Sequence, residues 1–268
     1  MPDPALTSFN EKVYAESNAY EKSPHLRHPS INRLLLGQLR NAVNDVRARG
    51  LEAALLDVGA GTGPFTPAAL NAGCTVTATD VAPSAVAGFN ARYEAQPRAT
   101  AVLDLQGDLS ILGDRRFSVI LFASVLHHIA DYEQAIEDSL QHLVPGGALL
   151  TFQDPLWYPR LPRAVRLLRS GSYVAWRVTQ RRDTVSGIGN RLRRATGRLD
   201  EFRASDMVEY HVVRNGVDDH ALERRFADRF ERFAVIRYWS TPSVIGQRLG
   251  ERLGAKTEFA LGGIGYRG

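Results

Sequence analysis

The sequence predicts an α/β fold: a doubly wound, mostly parallel sheet carrying a helical insertion. Three observations carry this. Short apolar strands alternate with helical spacings from residue 54 to 153. A glycine-rich turn joins the first of those strands to a helix. After Asp154 the alternation stops, and strand-like sequence returns only at Phe233.

Taken in order, residues 1–30 are polar, broken by Pro24 and Pro29, and read as an N-terminal arm with a short helix or two. Ile31, Leu34, Leu35, Leu39, Val43 and Val46 fall at helical spacing, and Gly50 ends that helix. Ala54–Val58 is a short apolar strand, followed by the glycine turn and an apolar helix to about Asn71. Cys74–Thr79 forms a second strand closed by Asp80, Pro83–Tyr93 a helix, and Thr100–Leu103 a third strand. Phe117–Ala123 is almost wholly apolar, as expected of a strand covered on both faces. Tyr132–Leu143 is helical, Pro145-Gly146-Gly147 a turn, and Ala148–Gln153 a further strand. Strands are then expected at Phe233–Trp239 and near Thr257–Leu261, the latter running into a glycine-rich tail. Because sheet-like sequence returns, the stretch at about 155–230 is an insertion within one domain, which spans 31–268.

The chain has 268 residues, 44% hydrophobic and 23% charged, which excludes a mainly disordered protein and suits one large domain. No run approaches the length of a membrane span, and Met1–Asn10 lacks the basic-then-apolar pattern of a leader. A single cysteine, Cys74, forms no internal disulfide, so a cytoplasmic location is expected. No metal-ligating cluster is expected. The net charge of +4 is unevenly placed. Between Pro155 and Ser205 stand twelve arginines, no lysine and three acids, so an acidic body carries a basic insert.

The turn itself is Asp57-Val58-Gly59-Ala60-Gly61-Thr62-Gly63. Glycine is needed where a strand turns sharply into a helix and where ligand lies on bare backbone. A dinucleotide fingerprint would require glycine at 64, where Pro64 stands, so a nicotinamide-dependent oxidoreductase is disfavoured. The acid-x-G-x-G-x-G pattern instead resembles the first motif of the class I S-adenosylmethionine (SAM)-dependent methyltransferases. Asp80, with Val81 after it, falls where that family places an acid on both ribose hydroxyls; one carboxylate accepts two hydrogen bonds from a cis-diol. Gly107-Asp108-Leu109 resembles the loop whose acid meets the adenine amino group, although Asp108 also reads as a capping residue. Ala123-Ser124-Val125-Leu126-His127-His128 resembles the segment lining the methionyl and sulfonium end, and Pro145-Gly146-Gly147 the turn before strand five. Tyr14, Tyr20 and Arg27 resemble arm residues that close over SAM. The resemblance implies a Rossmann-like, seven-stranded sheet and a cofactor held by Asp57, Gly59, Ala60, Gly61, Gly63, Asp80, Val81, Asp108, Leu109, Ala123 and Ser124, with Tyr14 and Tyr20.

The sulfonium carries its own activation, so the protein must mainly hold the nucleophile in line, and a hydroxyl acceptor also gains from a base. His127 and His128 are candidates for that role, with packing behind the site as the alternative. Tyr210 and His211, late in the insertion, are candidates if it folds back as a lid. Asp154-Pro155-Leu156-Trp157 resembles a motif of amino-group methyltransferases, but that motif belongs after strand four. It is therefore not taken as an N-methylation signature, while Asp154 stays a candidate pocket acid.

Arg160, Arg163, Arg166 and Arg169 recur every third residue, which on a helix makes a basic stripe beside Leu161, Ala164, Val165 and Leu168. A solvated lid face, an interfacial helix on anionic lipid, and an anion site for the acceptor are the three readings. The expectation is a SAM-dependent methyltransferase acting on a small organic acceptor, anionic or lipid-like, at oxygen rather than nitrogen, in lipid, sugar or specialised metabolism. An RNA methyltransferase using the basic cap and a non-catalytic SAM-binding regulator are the rivals. Oligomeric state is open.

Overall fold

The computed structural model of the chain describes residues 24–179 and 215–268; Tyr14, Tyr20, Tyr210 and His211 lie outside them. The elements run α1 (Pro24–Arg27), α2 (Pro29–Ala48), β1 (Ala54–Val58), α3 (Thr66–Asn71), β2 (Thr75–Asp80), α4 (Pro83–Arg92) and β3 (Ala99–Leu103). Then come β4 (Phe117–Ala123), α5 (Tyr132–Leu140), β5 (Leu143–Pro155), α6 (Arg163–Thr179), α7 (Asp219–Arg229), β6 (Phe230–Tyr238), α8 (Val244–Arg252) and β7 (Glu258–Tyr266). The seven strands form one sheet in the order β3-β2-β1-β4-β5-β7-β6. β1 to β5 are parallel, and β7 runs antiparallel between β5 and β6.

Side-chain alternation sends successive strand residues to two separate cores. Leu55, Val119, Leu121, Leu150 and Phe152 meet α2, whose Ile31, Leu35, Leu39, Val43 and Val46 are buried as their spacing requires. Leu56, Ile120, Phe122 and Leu149 face the other way, onto Tyr132, Ile136 and Leu140 of α5 and Leu222 and Phe226 of α7. All seven residues of β4 are buried, so its continuous apolar run is explained by cover on both faces.

Four differences from the sequence reading have local causes. Pro145-Gly146-Gly147 lies inside β5 as an irregularity beside Phe117–Val119, because Gly147 passes so close to Val144 and Ser118 carbonyls that a Cβ would sit 2.8 and 3.0 Å from them. β7 continues to Tyr266 through glycines that read as a tail. A Cβ on Gly263 would sit 2.5 Å from the Phe230 ring, so the strand needs glycine there to pass it. Residues 244–252 form a helix that was not expected. The four-arginine stripe is also corrected. Arg160 precedes α6 in a short 3₁₀ turn and binds Asp218 and Asp219 at 2.8 and 2.5 Å, while Arg169 turns back toward Glu258. Arg163 and Arg166 stay exposed.

The two ends of the insertion meet. Val217 donates to the Pro155 carbonyl at 2.9 Å, Tyr158 to that of Asn215 at 2.6 Å, and Leu156 bridges Val217. Asp219, nearly buried, also takes Arg237 of β6. Among the described residues no helix is long and apolar enough to cross a membrane.

Candidate cofactor and acceptor site

Strand order reverses at β1, between β2 and β4, and open α/β sheets bind ligands in the crevice at the carboxyl ends beside such a point. The chain from Val58 to Gly63 enters that crevice. Gly59, Gly61 and Gly63 have φ of 65°, 55° and 70°, a region that costs other residues about 1 kcal/mol or more. At Gly59 the reason is also steric: a Cβ would lie 2.4 Å from Val125 Cγ2, so the loop can meet the end of β4 only without a side chain. Gly59→Ala is therefore expected to lower stability by about 1–3 kcal/mol and weaken cofactor binding at least about tenfold. Thermal melts with and without cofactor would check this; a variant melting and binding like wild type would contradict it.

Asp80, 8% exposed, locks the loop to β2. Its Oδ2 accepts from the Gly61 amide and its Oδ1 from the Ala82 amide, each at 2.9 Å. Ala60 donates to the Thr79 carbonyl at 3.0 Å, and Val81 follows half-buried at the rim. Asp57 is buried, and its Oδ1 has no hydrogen-bond partner among the described residues. Burial, then the neighbouring Asp80 charge, push its carboxyl up to about 8.

The loop after β3 is organised by a residue the sequence reading missed. Asp104 accepts from the Gly107 and Leu109 amides, both at 3.0 Å, and holds Leu109 at φ 63°. Asp108 is exposed on this loop, and its carboxylate caps the Ser110 amide at 3.0 Å. Of the two residues named from the sequence, Asp108 takes the capping arrangement, while Leu109 is buried in the core with Leu112 and Ile120. Arg27 is exposed at the end of α1.

At the ends of β4 and β5 the backbone is again strained. Ser124 (φ 60°) donates its amide to the Phe152 carbonyl at 2.6 Å, and Gln153 (φ 61°) is bulged out of the β5–β7 pairing. The bulge carries Asp154 toward His127. His127 Nδ1 lies 2.7 Å from Asp154 Oδ1, and the His127 amide donates to the same oxygen at 3.2 Å. Both side chains are buried, and Asp154 Oδ2 has no hydrogen-bond partner among the described residues. Burial, with Arg169 adding to it, pushes the imidazole down to about 3, and burial drives the Asp154 carboxyl well above its ordinary range. The contact is therefore a hydrogen bond between groups held away from full charge. The His128 ring packs on His127, centroids 4.1 Å apart, and burial lowers it too.

Residues distant in sequence complete this wall. Tyr238 donates to Gln153 Oε1 at 3.0 Å, and Gln153 Nε2 to Ser240 at 2.8 Å, which fixes the bulge. Glu258, opposite both Pro155 and Tyr238, is buried, and burial raises its carboxyl to about 8 against the pull of Arg169, 3.6 Å away. Arg169 itself lies over the Tyr158 ring, 4.8 Å from its centroid. The one signal for Glu258 in the sequence is an acid opening an apolar strand.

Asp57 and Glu258 keep a proton in the folded chain where the unfolded chain has lost it. The unliganded protein should therefore lose stability as pH rises from about 4.5 toward about 8. His127 works in the opposite sense, but only below its ordinary value of 6.5. Between pH 6.5 and 8, Glu258→Gln is expected to flatten the slope by up to about 1.4 kcal/mol per pH unit. Denaturant titrations across that range measure it, and an unchanged slope would contradict the burial argument.

Residues 56–149, from β1 into β5, match a family model described as a methyltransferase domain. The chain carries a SAM-dependent methyltransferase domain. S-adenosylmethionine is its cofactor; the glycine turn leaves bare backbone for a ligand, and the buried Asp57 oxygen, without a hydrogen-bond partner among the described residues, suits a ligand that brings polar groups. Three solved structures share the fold of this methyltransferase. The N-methyltransferase NodS from Bradyrhizobium japonicum WM9, bound to S-adenosylhomocysteine, superposes with a TM-score of 0.56 at 15% identity, covering 98% of this chain and 99% of its own. A DhpI–S-adenosylhomocysteine complex gives 0.50 at 14%, covering 98% of each chain. The DszA carbon methyltransferase gives 0.51 at 17%, covering 90% of this chain and 56% of its own. No curated protein matches the methyltransferase sequence significantly.

Proposed function

We propose that this methyltransferase transfers the methyl group of SAM to an oxygen of a small organic acceptor, in lipid, sugar or specialised metabolism, in the cytoplasm. The observation that carries this reading is the buried His127–Asp154 pair at the ends of β4 and β5, 2.7 Å apart. The hydroxyl becomes strongly acidic as its bond to the methyl group forms, so even an imidazole whose basicity burial has lowered is able to take its proton. Asp154 on Nδ1 fixes the tautomer and shares the proton once it arrives. SAM, when bound, supplies an already activated methyl group, so the remaining work is to bind, orient and dehydrate.

In this reading the Gly59–Gly63 turn and Ala60 hold the methionyl end, Asp80 the ribose diol, and Asp108 with Leu109 the adenine. Ala123 and Ser124 would hold the methionyl and sulfonium end. The segment between residues 155 and 230 is the acceptor cap, fastened by Arg160 and Arg169, and Tyr14, Tyr20, Tyr210 and His211 belong to its arm and lid. With those two arginines committed to Asp218, Asp219 and Glu258, less of the basic insert remains for a nucleic acid. NodS, an N-methyltransferase aligned over nearly the whole chain, and DszA, a carbon methyltransferase, are both enzymes of this fold.

An amine acceptor is the second reading, favoured by the buried carboxyl of Glu258 beside the Asp154 pair. Methyl-labelled SAM offered with matched hydroxyl and amine acceptors, followed by mass spectrometry of the products, separates the two. O-methylated product supports the first reading; N-methylated product alone overturns it.

A further inference from the structure

α8 is built inside out. Its inward face is Gly246, Gln247 and Gly250, all buried, while Val244, Ile245, Leu249 and Leu253 stand 51%, 82%, 45% and 65% exposed. Ile245, Leu249 and Leu253 recur every fourth residue and so share one face. The helix has no freedom to roll and bury them. A Cβ on Gly250 would lie 2.3 Å from the Trp239 ring, and one on Gly246 would lie 2.7 Å from Ser172 Oγ of α6. Trp239 Nε1 donates to the Gly246 carbonyl at 2.9 Å. Gln247 donates to the Trp239 carbonyl at 2.8 Å and accepts from the Thr241 amide at 3.0 Å. Ser243 caps the first turn through the Gly246 amide. A locked helix with its aliphatic row in water marks a contact surface.

We propose that this face docks on an anionic lipid surface. Arg248 and Arg252 are exposed beside the aliphatic row, and Lys256 follows closely in the chain. The one acid of the helix, Glu251, is drawn to Ser30 and Gln247. Aliphatic side chains bordered by cations match a bilayer interface with negative headgroups. A second copy of the chain fits poorly, since a two-fold contact through this row would bring its arginines toward their own counterparts. Tyr238, Glu258 and Pro155 lie in register, so α8 follows β6 at the sheet edge that carries the candidate site. Docking would bring that edge to the lipid.

The test is co-sedimentation of the full chain with vesicles of phosphatidylcholine, with and without phosphatidylglycerol. Wild type is expected to bind the anionic vesicles, to bind neutral ones at least about tenfold more weakly, and to release in high salt. Ile245→Ser with Leu249→Ser and Leu253→Ser, and separately Arg248→Gln with Arg252→Gln, should each weaken anionic binding at least about tenfold. Both should leave SAM affinity and the melting temperature unchanged, since the side chains are exposed. Absence of vesicle binding by wild type, or equal binding by the variants, overturns the proposal. So does a lipid-free dimer in sedimentation equilibrium that the serine variant abolishes, which would assign the face to a second copy.

Discussion

Asp80→Ala is expected to lower SAM affinity by about 10²–10⁴-fold, the largest binding effect of any single substitution in the site. The carboxylate is nearly buried and accepts from the Gly61 and Ala82 amides, so its removal unties the glycine turn from β2 as well as deleting the proposed diol contact. Hydrogen bonds to a charged group contribute about 1.5–3 kcal/mol each, and two or more are lost together. Asp80→Asn keeps one acceptor oxygen and should fall between wild type and alanine. Isothermal titration with SAM measures all three proteins, with circular dichroism melts to show that the fold persists. An alanine variant binding within about threefold of wild type would remove Asp80 from the cofactor site.

His127→Ala and Asp154→Asn are expected to reduce kcat by about 10²–10⁴-fold while SAM affinity stays within about threefold. The two residues form one unit through the 2.7 Å contact, so the double variant should lose little more than either single one. The pH profile adds a second readout. With the imidazole pushed down to about 3, His127 stays neutral across the working range, and kcat should show no acid limb near 6.5. A limb there that vanished in His127→Ala would mean an ordinary, titrating histidine. A kcat unchanged in both variants would leave the pair a purely structural contact.

Much of this was legible in the chain because it is local. Asp57 to Gly63 writes its own turn, and the strand alternation from 54 to 153 fixes parallel order up to β5. The apolar run at β4 announces cover on both faces. What stayed hidden depends on where the chain returns. Glu258 and Arg169 meet only because β7 pairs with β5 while α6 folds back over that edge. Gln153 reads as one more strand residue, and its bulge exists through Tyr238 and Ser240, 85 and 87 residues later. Asp104, in the same loop as Asp108, gives no sign in the sequence because a carboxylate bonding to nearby amides leaves no periodic trace. α8 was missed because its aliphatic row faces outward and its glycines inward, the reverse of the pattern that marks a helix in sequence.

The most direct measurement of the central claim is a crystal structure of the S-adenosylhomocysteine complex. The ribose is expected on Asp80, the amino-acid end over Gly59–Gly63, and the sulfur turned toward Ser124 and the His127–Asp154 pair. A ligand bound away from Asp80, or with its sulfur turned away from that pair, would contradict it.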